Sequence, residues 1–377
     1  MSWIRGSERG VALLAALGAI VLIGVIIAGG LFSVTQDYRI SDNALRQSRA
    51  TSTAELGLNR IVAEWNLAYN QRVTGDTMKR SYTASGGGIA NVVVTRLNGP
   101  FFWVVSEGLS GTTRSTFLAR RRYGVLLRLD TPQINFLGAI TTQGTTKING
   151  NVIVNGNDAP PASWSSCSPG ANVAGAAISP TTTATVNGSV TLDGNPEVLT
   201  TPAASDTNTY FNYGNTNYAS LAATADLVYP GSTNLIGIAP ITAGAACVAS
   251  LIPANWGEPE HAVPASPCET YFPIIHVRGD LKAATGRGQG ILLVDGNLEV
   301  AGNFVFMGAI IVRGALKMSG SGNKIVGATM AASVSVDDNV SLSGNTSMQY
   351  SSCALLAALS ANAYPKAARQ RGWVDVF

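Results

Sequence analysis

Residues 11–32 read VALLAALGAIVLIGVIIAGGLF, 22 positions without a charge. As a helix, a run of that length crosses a bilayer core of roughly 30 Å. After Phe32 the chain turns polar but keeps a helical period. Ala54, Leu58, Ile61, Val62, Trp65 and Tyr69 fall on one stripe, Arg46, Arg49 and Arg60 fall among polar positions, and no proline occurs before Pro100. The pattern predicts a transmembrane or assembly helix over 11–32 and an amphipathic continuation over 33–75. Unbroken to about Asn70, such a helix is roughly 90 Å long. Gly29-Gly30 is its expected weak point.

The period then shortens to two. ANVVVTRL (90–97) and FFWVVSEG (101–108) flank Asn98-Gly99, a hairpin signal, and Ser110-Gly111 marks the next turn. The expectation over 80–130 is a small antiparallel β-meander covering the helix stripe. Arg120-Arg121-Arg122 lies in its last strand, where alternation divides three arginines between two faces.

From residue 134 the chain repeats itself. PIIHVRG (273–279), GILLVDG (290–296), GAIIVRG (308–314) and the weaker GATMAAS (327–333) start 17, 18 and 19 residues apart. Each is followed by further apolar positions: Leu281 in the first, then Leu298/Val300, Leu316/Met318 and Val340/Leu342. Short alternating strands at about 18 residues per turn describe a parallel β-helix or solenoid, here assigned to 131–352. INFLGAITTQGTTKINGNVIVNG (134–156) and TATVNGSVTLDG (183–194) read as further rungs. Residues 157–182 and 195–272, rich in Pro, Thr, Ala and Asn, read as long inserted loops. Residues 353–377 read as a C-terminal cap: a helix over 353–364, then a short strand in RGWVDVF. The register places Arg278, Asp295 and Arg313 in one ladder and Lys282, Glu299 and Lys317 in another, both alternating in sign.

Composition narrows the setting. Charged residues make up 12% of the chain and glycines number 41, which suits an all-β extracellular domain. Residues 1–130 carry a net charge of +7 and residues 131–377 a net charge of −4. Neither value argues for nucleic acid. Cys167, Cys247, Cys268 and Cys353 form no CxxC pair, and His261 and His276 are the two histidines. Zinc spacing is absent and no metal or cofactor is expected. Outside the cytoplasm, disulfides are the better reading. The short, Pro-rich interval favours Cys247–Cys268, leaving Cys167–Cys353 as a long tie; free buried thiols are the alternative.

Catalysis finds little support. The acids and arginines that could cleave a polysaccharide on a β-helix face are Asp280, Asp295, Arg278, Arg313, Asp337 and Asp338. The ladder logic already accounts for the first four, Asp280, Asp295, Arg278 and Arg313, and Asp337-Asp338 reads as a corner. No nucleophile–base pair stands out, and Gly86-Gly87-Gly88 is a simple turn.

The N-terminus adds the sharpest motif. MSWIRGSERG is short and basic and ends in Gly10, directly before Val11-Ala12-Leu13-Leu14. Arg5 and Arg9 keep it cytoplasmic, so the expected location is an inner membrane crossed once, with the bulk of the chain periplasmic or on a filament. SERG followed by VALL resembles a type IV prepilin leader (1–10) and is similar to the PilX N-terminal family and to tip-type minor pseudopilins of type II secretion. The resemblance covers residues 5–70. It implies an α+β pilin-like unit, cleavage between Gly10 and Val11 by a prepilin peptidase, and other pilins or pseudopilins and an inner-membrane assembly platform as partners. Major pilins place Glu at the fifth mature position. Here that position is Ala15, which points to a minor subunit. The competing expectation is a membrane-anchored β-helix for adhesion or glycan binding.

Overall fold

The computed structural model describes residues 8–110, 119–164, 167–261, 265–332, 340–342, 345–368 and 373–375. Most of the leader, the turn at Gly111 and Asp337-Asp338 lie outside them. The chain divides into two compact units, one of residues 1–65, 74–128 and 366–377, the other of residues 66–73 and 129–365.

The first unit is built on α1, Glu8–Ala63, a 56-residue helix about 84 Å long at about 1.5 Å per residue. It runs through Gly29-Gly30 without a break, contrary to the weak point expected there. A helical glycine keeps both backbone hydrogen bonds and costs only about 1 kcal/mol against alanine. The helix stops at Ala63, short of the expected Asn70. Asn66 adopts extended backbone, φ −87° and ψ 115°, and its side chain accepts from the Ala68 N–H at 2.9 Å to start a separate 3-10 turn, Leu67–Gln71. A side-chain cap competes with the helix for that backbone and wins.

Four antiparallel strands follow in sheet order: β1 Thr77–Thr83, β2 Ile89–Arg96, β3 Phe101–Ser110 and β4 Ala119–Asp130. Trp373–Asp375 pairs antiparallel with β4. Alternate residues of the sheet, among them Ala90, Val92, Val94, Phe102 and Val104, are buried with Ala50, Ala54, Leu58 and Ile61 of α1. The helix lies close because two contact positions lack side chains. A Cβ at Gly108 would run into the Ala50 carbonyl and the Ala54 amide, and one at Gly57 into the Ser106 hydroxyl.

In the second unit the chain visits three strand rows in turn. Row one holds 274–277, 291–294, 309–312 and 328–331; row two holds 281–283, 298–301, 316–319 and 340–342; row three holds 286–290, 304–308, 321–327 and 345–350. Every neighbour within a row is parallel. Ile274, Ile291, Ala309 and Ala328 stand in one register line. The turn from row three into the next row one falls at Gly290, Gly308 and Gly327, whose φ values are 110°, 134° and 140°. Side chains seldom adopt that region.

The stacking order departs from chain order. Residues 138–155 stack against 321–350, so the earliest coil in sequence meets the latest. Residues 174–193 lie outside that coil, and 198–200 pair with 174–178. At the opposite end, 227–229 and 233–235 pair with 274–277 and 281–283. Strands Ala174–Ile178, Val198–Thr200, Leu227–Tyr229 and Thr233–Leu235 therefore fall in segments expected to be inserted loops. Ala174–Ile178, AGAAI, is buried at all five positions. A strand covered on both faces has no alternation to read.

Inside the coil lie Leu292, Val294, Leu298, Val300, Phe304, Phe306 and their register mates. The outer face of row one is also buried. Ile291, Leu293, Ile311 and Met330 pack with Leu355, Ala358 and Leu359 of the C-terminal helix Ser352–Ala361. That helix covers a sheet face, where a cap over the coil end was expected. Its apolar surface matches the outward residues of row one, which need cover along their length. Asp158 fixes its N-terminus, one oxygen accepting from the Ser352 N–H at 2.8 Å and the other from the Ser352 hydroxyl. The Asn70 amide donates to the Ser360, Ala361 and Ala363 carbonyls at its far end.

Candidate functional site: the apolar helix and the Asp295 cluster

The first candidate is α1 itself. Its N-terminal half is apolar and unburied, Leu13 being 70% exposed and Leu31 63% exposed. Between Arg9 and Asp37 there is no charged residue. The helix is long and apolar enough to cross a membrane. Gly10 and Val11 belong to its opening turns, and Ala15 lies in the exposed apolar stretch. From Ala50 to Ile61 the same helix is buried at Ala50, Thr53, Ala54, Leu58 and Ile61.

The arginine run of β4 is paired within the first unit. Arg120 and Arg122 reach Glu107 at 3.5 and 2.8 Å. Arg121, on the other face, donates to Gln47 at 3.1 Å and lies 4.0 Å from Asp375.

The second candidate is a polar cluster on the coil. The Tyr218 hydroxyl donates to Asp295 Oδ1 at 2.9 Å, His276 Nε2 lies 3.0 Å from Asp295 Oδ2, and Arg313 is 3.7 Å from Asp295 Oδ1. The Arg313 guanidinium also stands over the rings of Phe211 and Tyr218. Burial pushes the Tyr218 hydroxyl well above its ordinary pKa, and the Asp295 charge adds to the rise. Among the described residues Asp295 thus pairs with Arg313, while no ion pair joins it to Arg278, the other expected neighbour in the ladder. His276, two residues before Arg278 in the repeat, takes that place. In the second ladder Lys282 reaches Glu299 at 3.4 Å, and Lys317 is the register mate of Glu299 on the next strand. Asp280 accepts from the Asn297 backbone at 2.7 Å. These carboxylates are occupied in joining coils. Among the described residues no group of three or more His, Cys, Asp or Glu could hold a metal.

Sequence spacing placed Asp295 and Arg313 together. It missed Tyr218, whose short helix falls in a segment read as loop, and His276, which carried no motif.

The four cysteines form two disulfides, Cys167–Cys353 and Cys247–Cys268, with Cα separations of 6.0 and 4.9 Å. Cys247 also borders a cavity of about 490 Å³ together with Arg72, Asp226, Tyr271, Phe272 and Asn362. Burial raises the Asp226 carboxyl, although the Ile274 N–H donates to it at 2.8 Å. The Tyr271 hydroxyl is buried without a partner and is likewise raised, chiefly by burial.

No protein-family model and no curated protein matches this sequence. Among solved structures it is similar to the competence-associated pilin ComZ from Thermus thermophilus, at 12% identity and a TM-score of 0.23, over 88% of this chain and 96% of that chain. A likeness at that score establishes neither fold nor function.

Proposed function

We propose that this chain is a non-enzymatic, pilin-like structural protein: a minor subunit or assembly factor of a type IV pilus or a related type II secretion-like filament. One observation carries the reading. A single helix is apolar and unburied from Leu13 through Val34, then buried from Ala50 to Ile61 on its own antiparallel sheet. The exposed half has no stable place in water. A bilayer accommodates it first, and a bundle of like helices accommodates it after extraction. The rigid continuation into the packed half joins the two states to the folded unit without a hinge.

The leader supports the same reading. Arg5 and Arg9 hold the N-terminus inside, Gly10 precedes the cut and Val11 becomes the new N-terminus. The partners are a prepilin peptidase, other pilins or pseudopilins, and an inner-membrane platform. Ala15 offers no carboxylate to a neighbouring subunit's amine, which suits a low-copy role. The three-row coil is a β-solenoid of about 18 residues per turn, carried on the filament. Its Asp295 and Glu299 pairs specify register between coils.

The test is the N-terminus of the protein recovered from its native membranes. Sequencing is expected to start at Val11, with an N-methylated amine. An intact Met1 overturns the filament reading and leaves a membrane-anchored β-helix for adhesion or glycan binding.

A further inference from the structure

We infer that the outer end of the coil, residues 184–200, is a docking surface for an extended strand of a partner protein whose apolar residues are flanked by Lys or Arg. The inference stands apart from the filament reading, since it concerns the coil alone.

The two ends of the stack differ. At one end the interior is closed. Trp256 is fully buried, its indole N–H reaches the Tyr229 hydroxyl at 3.3 Å, and Trp256 and Ile238 bridge to Gly288 and Gly286. The Cys247–Cys268 disulfide ties the adjoining segment. At the other end the interior is open among the described residues. Val186 is the register mate of Ile148, which is itself the mate of Leu342. Ile148 and Leu342 are 0% exposed, whereas Val186 is 44% exposed. Leu192 continues the line of Val154 and Met348 and is only half-buried. A core row that ends in an exposed valine lacks its last layer. The C-terminal helix lies on the face of row one and does not supply it.

The backbone is also open there. The Thr183 and Asn187 carbonyls accept from the Thr146 and Gly150 N–H groups. In a parallel ladder alternate residues turn their amide and carbonyl to opposite sides. Ala184 and Val186 therefore present theirs outward. An edge of this kind pairs with an added strand.

Charge decides what kind of strand. No Lys or Arg occurs between Lys147 and Arg278, while Asp193 and Glu197 belong to the end segment and both are exposed. Cationic flanks gain from these acids. A second copy docked end to end would instead bring its own Asp193 and Glu197 to the same interface.

The experiment uses the full chain in detergent and a labelled peptide of alternating valine and threonine with two lysines at each end. A peptide with glutamate flanks is the control. The lysine peptide is expected to bind, to slow amide exchange over 184–192, and to bind at least tenfold more tightly than the control. Val186→Asp, at an already exposed position, is expected to weaken it at least tenfold without moving the urea midpoint. The double change Asp193→Asn and Glu197→Gln is expected to erase the preference for lysine while keeping binding. Equal binding of both peptides, unchanged exchange over 184–192, or full binding by Val186→Asp overturns the inference. So does a peptide-free dimer that Val186→Asp dissolves, which would assign the end to a second copy.

Discussion

The Asp295 and Asp226 carboxylates do opposite things for the fold. Asp295 is partly exposed and meets a hydroxyl, an imidazole and a guanidinium, so its charge is answered from three sides. Asp226 is the more exposed residue of the two, and the Ile274 amide is the main group that answers its carboxylate. Its carboxyl is raised above the ordinary 3.8 by burial. The folded chain therefore holds this proton through a pH window in which the unfolded chain has already released it. Stability from this group is greatest below 3.8 and falls as pH rises through the folded value. Asp226→Asn keeps an acceptor for the Ile274 N–H and removes the partly desolvated charge. The variant is expected to melt above the parent protein at pH 7.5, with the gain vanishing near pH 3.5. A gain independent of pH would refute the assignment of the shift to burial. The cluster around Asp295 was half legible in the sequence. Repeat spacing carries Asp295 and Arg313 into one row because both close the same strand one coil apart. Tyr218 reaches the site from 77 residues away, and no local periodicity encodes that contact.

At the scale of elements, the parallel coil depends on corners that side chains cannot occupy. A Cβ on Gly308 would meet the Gly290 carbonyl, and one on Gly327 would meet that of Gly308. Both residues also hold positive φ. Gly308→Ala combines backbone strain with a collision against the coil beneath, and is expected to cost about 2–4 kcal/mol in urea unfolding. Gly86→Ala meets nothing within 4 Å and is expected to stay within about 0.5 kcal/mol. Equal effects at the two positions would mean that the corners tolerate side chains. These corners were visible in the sequence as Gly at 290, 308 and 327. The long helix was visible as an apolar run passing into a stripe. Its end was not, because Trp65 and Tyr69 keep the helical spacing while Asn66 interrupts the backbone between them. The place of the C-terminal helix was hidden for a different reason. An apolar surface reads the same whether it covers a sheet face or a coil end.

For the whole molecule, the order of stacking is what periodicity could not give. Repeats announce that coils exist, but not that residues 138–155 return to lie against residues 321–350. That closure joins distant parts of the chain, and Cys167–Cys353 spans it covalently with a sequence separation of 186, against 21 for Cys247–Cys268. A crosslink stabilises largely by restricting the unfolded chain, and the restriction grows with the logarithm of the loop. On that basis the long tie contributes about 5 kcal/mol and the short one about 3 kcal/mol. The paired changes Cys167→Ser with Cys353→Ser are therefore expected to lower unfolding free energy more than Cys247→Ser with Cys268→Ser. Urea titration of the full chain in detergent measures both. The short tie has a local duty beside Trp256 at the closed end, so its loss should also raise amide exchange around residues 247–256 while leaving 138–155 unchanged. Loss of the long tie should loosen 138–155 and the C-terminal helix together. If removing the short tie proves the more damaging, local packing at the closed end governs stability, and chain closure does not.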